Sequence, residues 1–236
     1  MIVGEIKRFL REKARLLAVL DDAGMRLRFA TTLYLFGLAA LGTLAVGGRE
    51  MALCALAACL MLLSAAMELG YEPICAGIRQ RYLFSVGLRT LALTVPLADY
   101  FGKYLMAGVA SNVVLQSLMI VMLGVHLALF FALICFNRRQ SPMLRALSGV
   151  LGVFPALTAS AAAALAVANL AQPAGIAAAA LLRALGATGM FLGDRLMAAN
   201  ALGGIRLKYE SVWEWLLLCG GLTLMTVGAW LTAAPM

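Results

Sequence analysis

The sequence predicts an all-α, polytopic membrane helical bundle with about seven transmembrane helices. Of its 236 residues, 64% are hydrophobic and only 13% are charged, and long apolar stretches recur along the chain. An ordinary soluble domain is about half apolar and about a quarter charged. The composition therefore excludes a soluble globule and a disordered chain. The formal net charge is +8, but in a membrane protein the placement of basic residues first reports orientation. We expect no nucleic-acid partner.

The first 28 residues differ from the rest of the chain. Between Glu5 and Leu20 the apolar residues share one helical face, and Lys and Arg residues occupy the others. This pattern is typical of an amphipathic helix that lies on a membrane surface. A cleavable signal peptide would place its apolar core directly after a short basic start, so we expect the segment to be retained. The predicted domains are a cytoplasmic basic helix at 1–28 and a transmembrane domain at 29–236.

Seven apolar segments follow, each long enough for the roughly 20 residues that cross a bilayer core. They are 29–47, 51–69, 82–98, 104–136, 146–168, 174–193 and 212–233. The fourth segment is too long for one perpendicular helix. We expect it to tilt, to protrude or to break near Gly124, and splitting 104–136 would give eight spans. Small residues, dense between Ala159 and Ala180, predict close helix packing.

The basic residues predict the orientation. Of the 19 Lys and Arg residues, Arg49 and Lys103 alone fall in predicted outer loops, and Arg89 and Arg183 fall within spans. Positively charged loops stay on the cytoplasmic side. We therefore expect an integral protein of a bacterial inner (plasma) membrane, with the N-terminus cytoplasmic and the C-terminus outside.

Ionisable residues within spans are the first place to look for function. A charged group at the bilayer centre costs at least about 2.5 kcal/mol. Arg89 and Arg183 must therefore meet a carboxylate or several carbonyl oxygens, and Glu68, Glu72 and Asp194 are the expected acids. For Arg183, a structural ion pair and a contact to a substrate phosphate remain equal alternatives.

Other polar residues carry weaker signals. The chain has one histidine, His126, and no sequence feature pairs it with a serine, so a Ser-His-Asp triad is not supported. Asn112 and Gln116 share one helix face, where hydrogen bonding between helices is their ordinary role. The cysteines form no CxxC pair. We predict no metal and no cofactor.

Two stretches place an aspartate at the end of an apolar helix. In the first, Gly186–Leu202, Asp194 closes the helix and Asn200 follows where a lipid headgroup would lie. In the second, Asp99 ends a span and Gln116 lies in the next segment. These positions suit contact with an amphiphile.

At these residues the chain resembles the YhhN-like lysoplasmalogenase family. Ala98-Asp99-Tyr100-Phe101 with Gln116 is similar to one family element, and the run from Phe191 to Asn200 is similar to another. The resemblance implies a multispan hydrolase that cleaves the vinyl-ether bond of a lysophospholipid, with Asp99 and Asp194 as acid and base. Gly193 stands where the family often has Ser, and the family's usual eight spans exceed the seven predicted here.

The seven-span topology conflicts with that pairing. It places Asp99 on the outer side and Asp194 on the inner side, about one bilayer thickness apart, whereas Glu68 lies on the side of Asp194. The catalytic candidates are therefore Asp99, Asp194 and Glu68. The candidate substrate-binding residues are Gln116, Asn112, Arg183, Arg89 and Asn200, and the expected partner is a lipid substrate within the membrane.

Two other classes of function stay open. Gly193-Asp194 and Gly203-Gly204, before Arg206 and Lys208, faintly resemble the nucleotide-binding loop of dolichol- and phytol-kinase-like lipid kinases. The polar residues could instead line a path in a non-catalytic transporter or belong to an accessory subunit. Convergence in one pocket at a membrane face favours a lipid enzyme, whereas a continuous polar track favours transport.

Overall fold

The chain is an all-helical, polytopic bundle. A computed structural model describes residue 24 and residues 26–70, 78–106, 112–136, 141–203 and 210–233, and none of these forms a strand. The predicted surface helix lies almost entirely outside the described residues. The described helices are α1 Arg26–Ala45, α2 Arg49–Gly70, α3 Ile78–Thr94, α4 Leu97–Met106, α5 Asn112–Leu129, α6 Pro142–Leu151, α7 Val153–Ala168, α8 Ala174–Gly203 and α9 Glu210–Ala233.

Six described helical segments are long and apolar enough to cross a membrane. They comprise α1, α2, α5 with its continuation, α6 and α7 together, α8 and α9. The predicted third span falls on α3, which has 17 residues and begins with a polar turn, and on the start of α4. The apolar helices confirm an integral membrane bundle.

The predicted fourth segment divides differently from our expectation. Its first residues belong to α4, which ends at Met106, and α5 begins at Asn112. Of the three alternatives for this segment, a break near Gly124 is contradicted, because α5 runs through Gly124 without interruption and continues as a π-helix at Phe130–Cys135. One continuous helix therefore accounts for most of the segment.

A tight turn joins α1 to α2. Gly47 and Gly48 have φ angles of 73° and 94°, in the left-handed region that a residue without Cβ adopts at little cost. The turn reverses the chain within a few residues. It thereby delivers Arg49 and Glu50, in the first turn of α2, to one end of the bundle.

Pro96 separates α3 from α4. A proline disfavours helical backbone at the preceding residue but suits the start of a new helix, so α3 ends at Thr94 and α4 starts at Leu97. Asp99 is consequently in the first turn of α4, and Lys103 follows one turn later.

Small residues bring the long helices close together, as the sequence predicts. A Cβ at Gly186 would lie 2.5 Å from the carbonyl oxygen of Gly221, and one at Gly221 would lie 2.6 Å from that of Gly186. Alanines on α7, including Ala159 and Ala162, are fully buried. An apolar core then fills the middle of the bundle, and it includes Met61, Leu93, Tyr100, Ala187, Met190, Leu218 and Leu222.

Candidate functional site

A cavity of about 620 Å³ lies at the end of the bundle where the α1–α2 turn meets α4. The end of α7, the first half of α8 and the end of α9 complete its wall. We call its polar part the Glu50 pocket, formed by Arg49, Glu50, Asp99, Lys103, Arg183 and Thr232. The remainder is lined by the polar Asn169 and by apolar side chains that include Met51, Met106, Leu165 and Ile176.

Glu50 joins four helices. Its Oε2 accepts a hydrogen bond from Thr232 Oγ1 at 2.7 Å and lies 2.7 Å from Arg183 Nη2. Its Oε1 contacts the ammonium of Lys103. Two cations and one hydroxyl group therefore contact this carboxylate, and contacts of this kind are the stronger hydrogen bonds of proteins.

Arg183 reaches the pocket from inside α8. Its Nη2 also donates to the carbonyl oxygen of Gly228 at 3.0 Å and to Thr232 Oγ1 at 2.5 Å. A Cβ at Gly228 would lie 2.9 Å from Arg183 Cγ, so the glycine gives the side chain room. The prediction that Arg183 meets a carboxylate is confirmed, but the described acid is Glu50, which was not among those expected.

Asp99 is the second carboxylate of the pocket, and its residue is 6% exposed. Its Oδ2 lies 2.9 Å from Lys103 Nζ, and its Oδ1 lies 3.5 Å from Arg49 Nε. Burial raises the pKa of the Asp99 carboxyl above its ordinary value, although Arg49 and Arg183 act against this shift. The pocket therefore holds two carboxylates in different environments.

The two remaining cations lie at the rim. The side chain of Arg49 is 75% exposed and that of Lys103 is 36% exposed. Burial, together with the charges of Arg183 and Arg49, lowers the pKa of Lys103 to about 8. Lys103 contacts both carboxylates, whereas Arg49 contacts Asp99 alone among the described acids.

A second polar group lies elsewhere in the bundle. We call it the Arg195 cluster, formed by His126 of α5, Ser148 of α6, and Asp194 and Arg195 of α8. Arg195 Nε donates to Asp194 Oδ2 at 3.2 Å, and Arg195 Nη1 donates to the carbonyl oxygen of Ser148 at 3.3 Å. Both charged residues are at most 3% exposed.

Both ring nitrogens of His126 have partners within this cluster. Its Nε2 lies 2.8 Å from the carbonyl oxygen of Gly149, and its Nδ1 lies 3.4 Å from Arg195 Nη1. A carbonyl can only accept and a guanidinium can only donate. His126 therefore carries its proton on Nε2, with Nδ1 accepting, and it acts as a neutral link between α5, α6 and α8.

The Glu50 pocket and the Arg195 cluster are well separated. Arg183 and Asp194 belong to the same helix, and a rise of 1.5 Å per residue sets them about 16 Å apart along its axis. Between them, Ala187 and Met190 belong to the apolar core. The structure does not bring Asp99 and Asp194 into one site, and Asp194 does not line the cavity.

The other predicted site residues lie outside the pocket or are not described. Arg89 is buried, and its Nε donates to Ser64 Oγ at 3.0 Å. Gln116 is exposed on α5, and Asn200 is partly buried on α8. The side chains of Glu68 and Asn112, and all of Glu72, Arg206 and Lys208, lie outside the described residues.

Sequence reasoning missed Glu50, and it assigned no role to Arg49, Lys103 or Thr232. A signal was available, because Arg49 and Lys103 are the two cations of the predicted outer loops and an acid directly follows Arg49. No described group of three His, Cys, Asp or Glu side chains could hold a metal ion. The three cations of the pocket suit binding of an anion, and its two carboxyl groups can donate or accept a proton.

Comparison with protein-family models, with curated proteins and with solved structures finds no match to this chain. The likeness to YhhN-like lysoplasmalogenases thus rests on the sequence motifs alone.

Proposed function

We propose that the chain is a membrane-embedded lipid hydrolase that cleaves the vinyl-ether bond of a lysophospholipid in the Glu50 pocket. One observation carries the proposal. The carboxylates of Glu50 and Asp99 meet the same ammonium, that of Lys103, inside a cavity of about 620 Å³. The proposal keeps Asp99 from the family resemblance and replaces Asp194 with Glu50.

The chemistry needs one carboxyl group that gives a proton and one that accepts a proton. Asp99 suits the acid, since burial raises the pKa of its carboxyl. Glu50 is the proposed base, because Arg183 and Thr232 orient the carboxylate through its Oε2 and leave Oε1 to accept the proton once Lys103 turns away from it.

In the proposed reaction Asp99 protonates the alkene carbon that is not bonded to oxygen. An oxocarbenium ion then forms at the alkene carbon that is bonded to oxygen. Glu50 removes a proton from water as the water oxygen attacks that carbon. The resulting hemiacetal collapses to a fatty aldehyde and releases the glycerol hydroxyl of the glycerophosphodiester. One water is consumed, the C–O bond breaks at the hemiacetal stage, and both carboxyl groups recover their starting protonation by proton exchange.

The position of the pocket also favours an enzyme over a transporter. Its polar residues converge at one end of the bundle, and along α8 the core residues Ala187 and Met190 separate Arg183 from Asp194. A transport path would instead need polar groups that continue across the bilayer. The asymmetry of basic residues favours an extracytoplasmic opening.

The test is aldehyde release by purified protein in detergent. Lysoplasmalogen, the lysophospholipid that carries the vinyl-ether bond, should yield fatty aldehyde. Its analogue with a saturated ether bond should yield none. Asp99→Asn and Glu50→Gln should each lower the rate by at least about 100-fold, as expected when an acid or base is lost. The exposed Arg26, at the far end of α1, gives a matched control in Arg26→Gln.

Asp194→Asn separates this proposal from the original pairing of Asp99 with Asp194. A folded Asp194→Asn protein should keep most of the aldehyde release. If wild-type protein releases no aldehyde, the hydrolase proposal is wrong. If Asp194→Asn is folded and inactive while Asp99→Asn is active, the catalytic centre lies in the Arg195 cluster.

A further inference from the structure

Two cations reach one buried carboxylate from the rim of the cavity. Arg49, from α2, and Lys103, from α4, both contact Asp99. Their side chains are 75% and 36% exposed, whereas the side chain of Asp99 is 6% exposed. A ligand entering the cavity therefore meets the two cations before it meets the acid.

The third cation of the pocket, Arg183, is held by contacts within the protein. Arg183 has a side chain that is 6% exposed, and its Nη2 contacts Glu50, Gly228 and Thr232. Moving it to a ligand would leave the Glu50 carboxylate without its closest guanidinium. Arg49 and Lys103, whose side chains are partly exposed, are thus the cations of this pocket that can turn toward a ligand, and Lys103 then leaves Glu50 as well as Asp99.

We infer that Arg49 and Lys103 bind the phosphate of the lipid substrate and leave Asp99 when they do so. The inference rests on the proposed function for the identity of the lipid. The charged side chains of the pocket are three cations and two carboxyl groups, so the pocket carries net positive charge whether Asp99 is ionised or protonated, which suits an anionic phosphodiester. Guanidinium and ammonium groups are the usual protein partners of phosphate.

The source of the phosphate follows from the rest of the cavity wall. Met106, Leu165 and Ile176 line the same cavity as the two cations, and the residue Met106 is 87% exposed. An apolar wall beside a cationic rim suits a phosphate that is attached to a hydrocarbon chain. Free inorganic phosphate would gain nothing from these side chains.

Binding of the phosphate would also prepare the acid. With Arg49 and Lys103 turned toward the ligand, Asp99 keeps its burial but loses its two direct ion-pair contacts, and such contacts favour the ionised form of a carboxyl group. Its protonated form then becomes more populated. Recognition of the headgroup and readiness of the proton donor are thereby coupled in one pocket.

The experiment measures binding without turnover. The probes are a saturated 1-O-alkyl lysophospholipid with an ethanolamine headgroup, the matching 1-O-alkylglycerol and inorganic phosphate, each titrated against wild-type protein at constant detergent concentration. Wild type should bind the lysophospholipid at least about tenfold more tightly than the alkylglycerol, as expected for charge-assisted hydrogen bonds to phosphate. Arg49→Gln with Lys103→Gln should abolish that preference without changing the affinity for alkylglycerol, and Arg26→Gln should retain it.

Equal affinity of wild type for the two lipids would overturn the inference. A preference that survives in the Arg49→Gln, Lys103→Gln protein would overturn it as well. Saturation by inorganic phosphate at concentrations equal to those of the lysophospholipid would identify a site for a soluble anion and overturn the lipid assignment. None of these results depends on aldehyde release. The binding experiment can therefore fail or succeed independently of the hydrolase proposal.

Discussion

The Glu50 pocket and the Arg195 cluster both bury charge in an apolar bundle, but they differ in access. In the pocket, a carboxylate bound by Arg183 lies beside two partly exposed cations and a cavity. In the Arg195 cluster, the carboxylate of Asp194 and the guanidinium of Arg195 are adjacent in sequence and at most 3% exposed, and Arg195 also contacts the carbonyl oxygen of Ser148 and the ring of His126. Charge that is paired inside the bundle links helices to one another, whereas charge at a cavity rim can exchange its partner for a ligand.

The largest expected effect is on the free energy of unfolding, and it follows from the loss of the Asp194 carboxylate. Asp194→Ala leaves the buried guanidinium of Arg195 without its carboxylate, and breaking a buried pair in this way costs about 3–5 kcal/mol. We expect the free energy of unfolding, measured in mixed micelles, to fall by that amount. Asp99→Asn should change it much less, because the partner cations of Asp99 can turn to solvent.

Replacing both members of the pair provides the control. Asp194→Ala combined with Arg195→Met removes both charges and should recover much of the lost stability, since an apolar replacement of a buried pair is often neutral. If the single Asp194→Ala variant is as stable as wild type, the Arg195 cluster is not a packing element and the comparison fails.

A smaller effect is expected from Gly152, at the junction of α6 and α7. A Cβ there would overlap the guanidinium of Arg195 and the ring of His126. Gly152→Ala should lower the free energy of unfolding by about 1–3 kcal/mol, as overpacking does. Gly124→Ala, on α5, meets nothing within 4 Å and should leave stability unchanged or slightly higher. Equal stability of the two variants would contradict the tight packing of the cluster.

The smallest effect concerns pH. Lys103 has a pKa of about 8, so its positive charge is lost above that pH, and affinity for the lysophospholipid should fall by no more than about tenfold between pH 7 and pH 9. The groups that face Lys103 are Glu50, Asp99, Arg49 and Arg183. Lys103→Arg, which stays charged, should flatten the profile.

This pH effect can be told apart from unfolding by its sign. The pKa of Lys103 is lower in the folded protein than its ordinary value of 10.5, so the unfolded chain binds more protons between about pH 8 and pH 10.5. The contribution of Lys103 to stability therefore rises with pH across this interval. A weakening of binding that follows a loss of stability would contradict the assignment to Lys103.

The candidate site was only partly predictable. The sequence singled out Asp99 and Arg183, because charges beside or within apolar segments are conspicuous. Glu50 was missed because it directly follows a turn and resembles an ordinary helix-start residue. Its partners Arg183 and Thr232 are far from it in sequence, and no local pattern connects them.

The sequence by itself determined the helical membrane bundle and most of its spans, because apolar segments of bilayer length leave the backbone few alternatives to a helix. It also determined that Arg183 needs polar partners, since hydrocarbon offers none. Only the tertiary structure decided that Glu50 supplies the carboxylate, that Pro96 brings Asp99 to the same pocket, and that Asp194 pairs with Arg195 elsewhere. These outcomes depend on how the helices are rotated and how closely they pack, which side-chain contacts between distant segments decide.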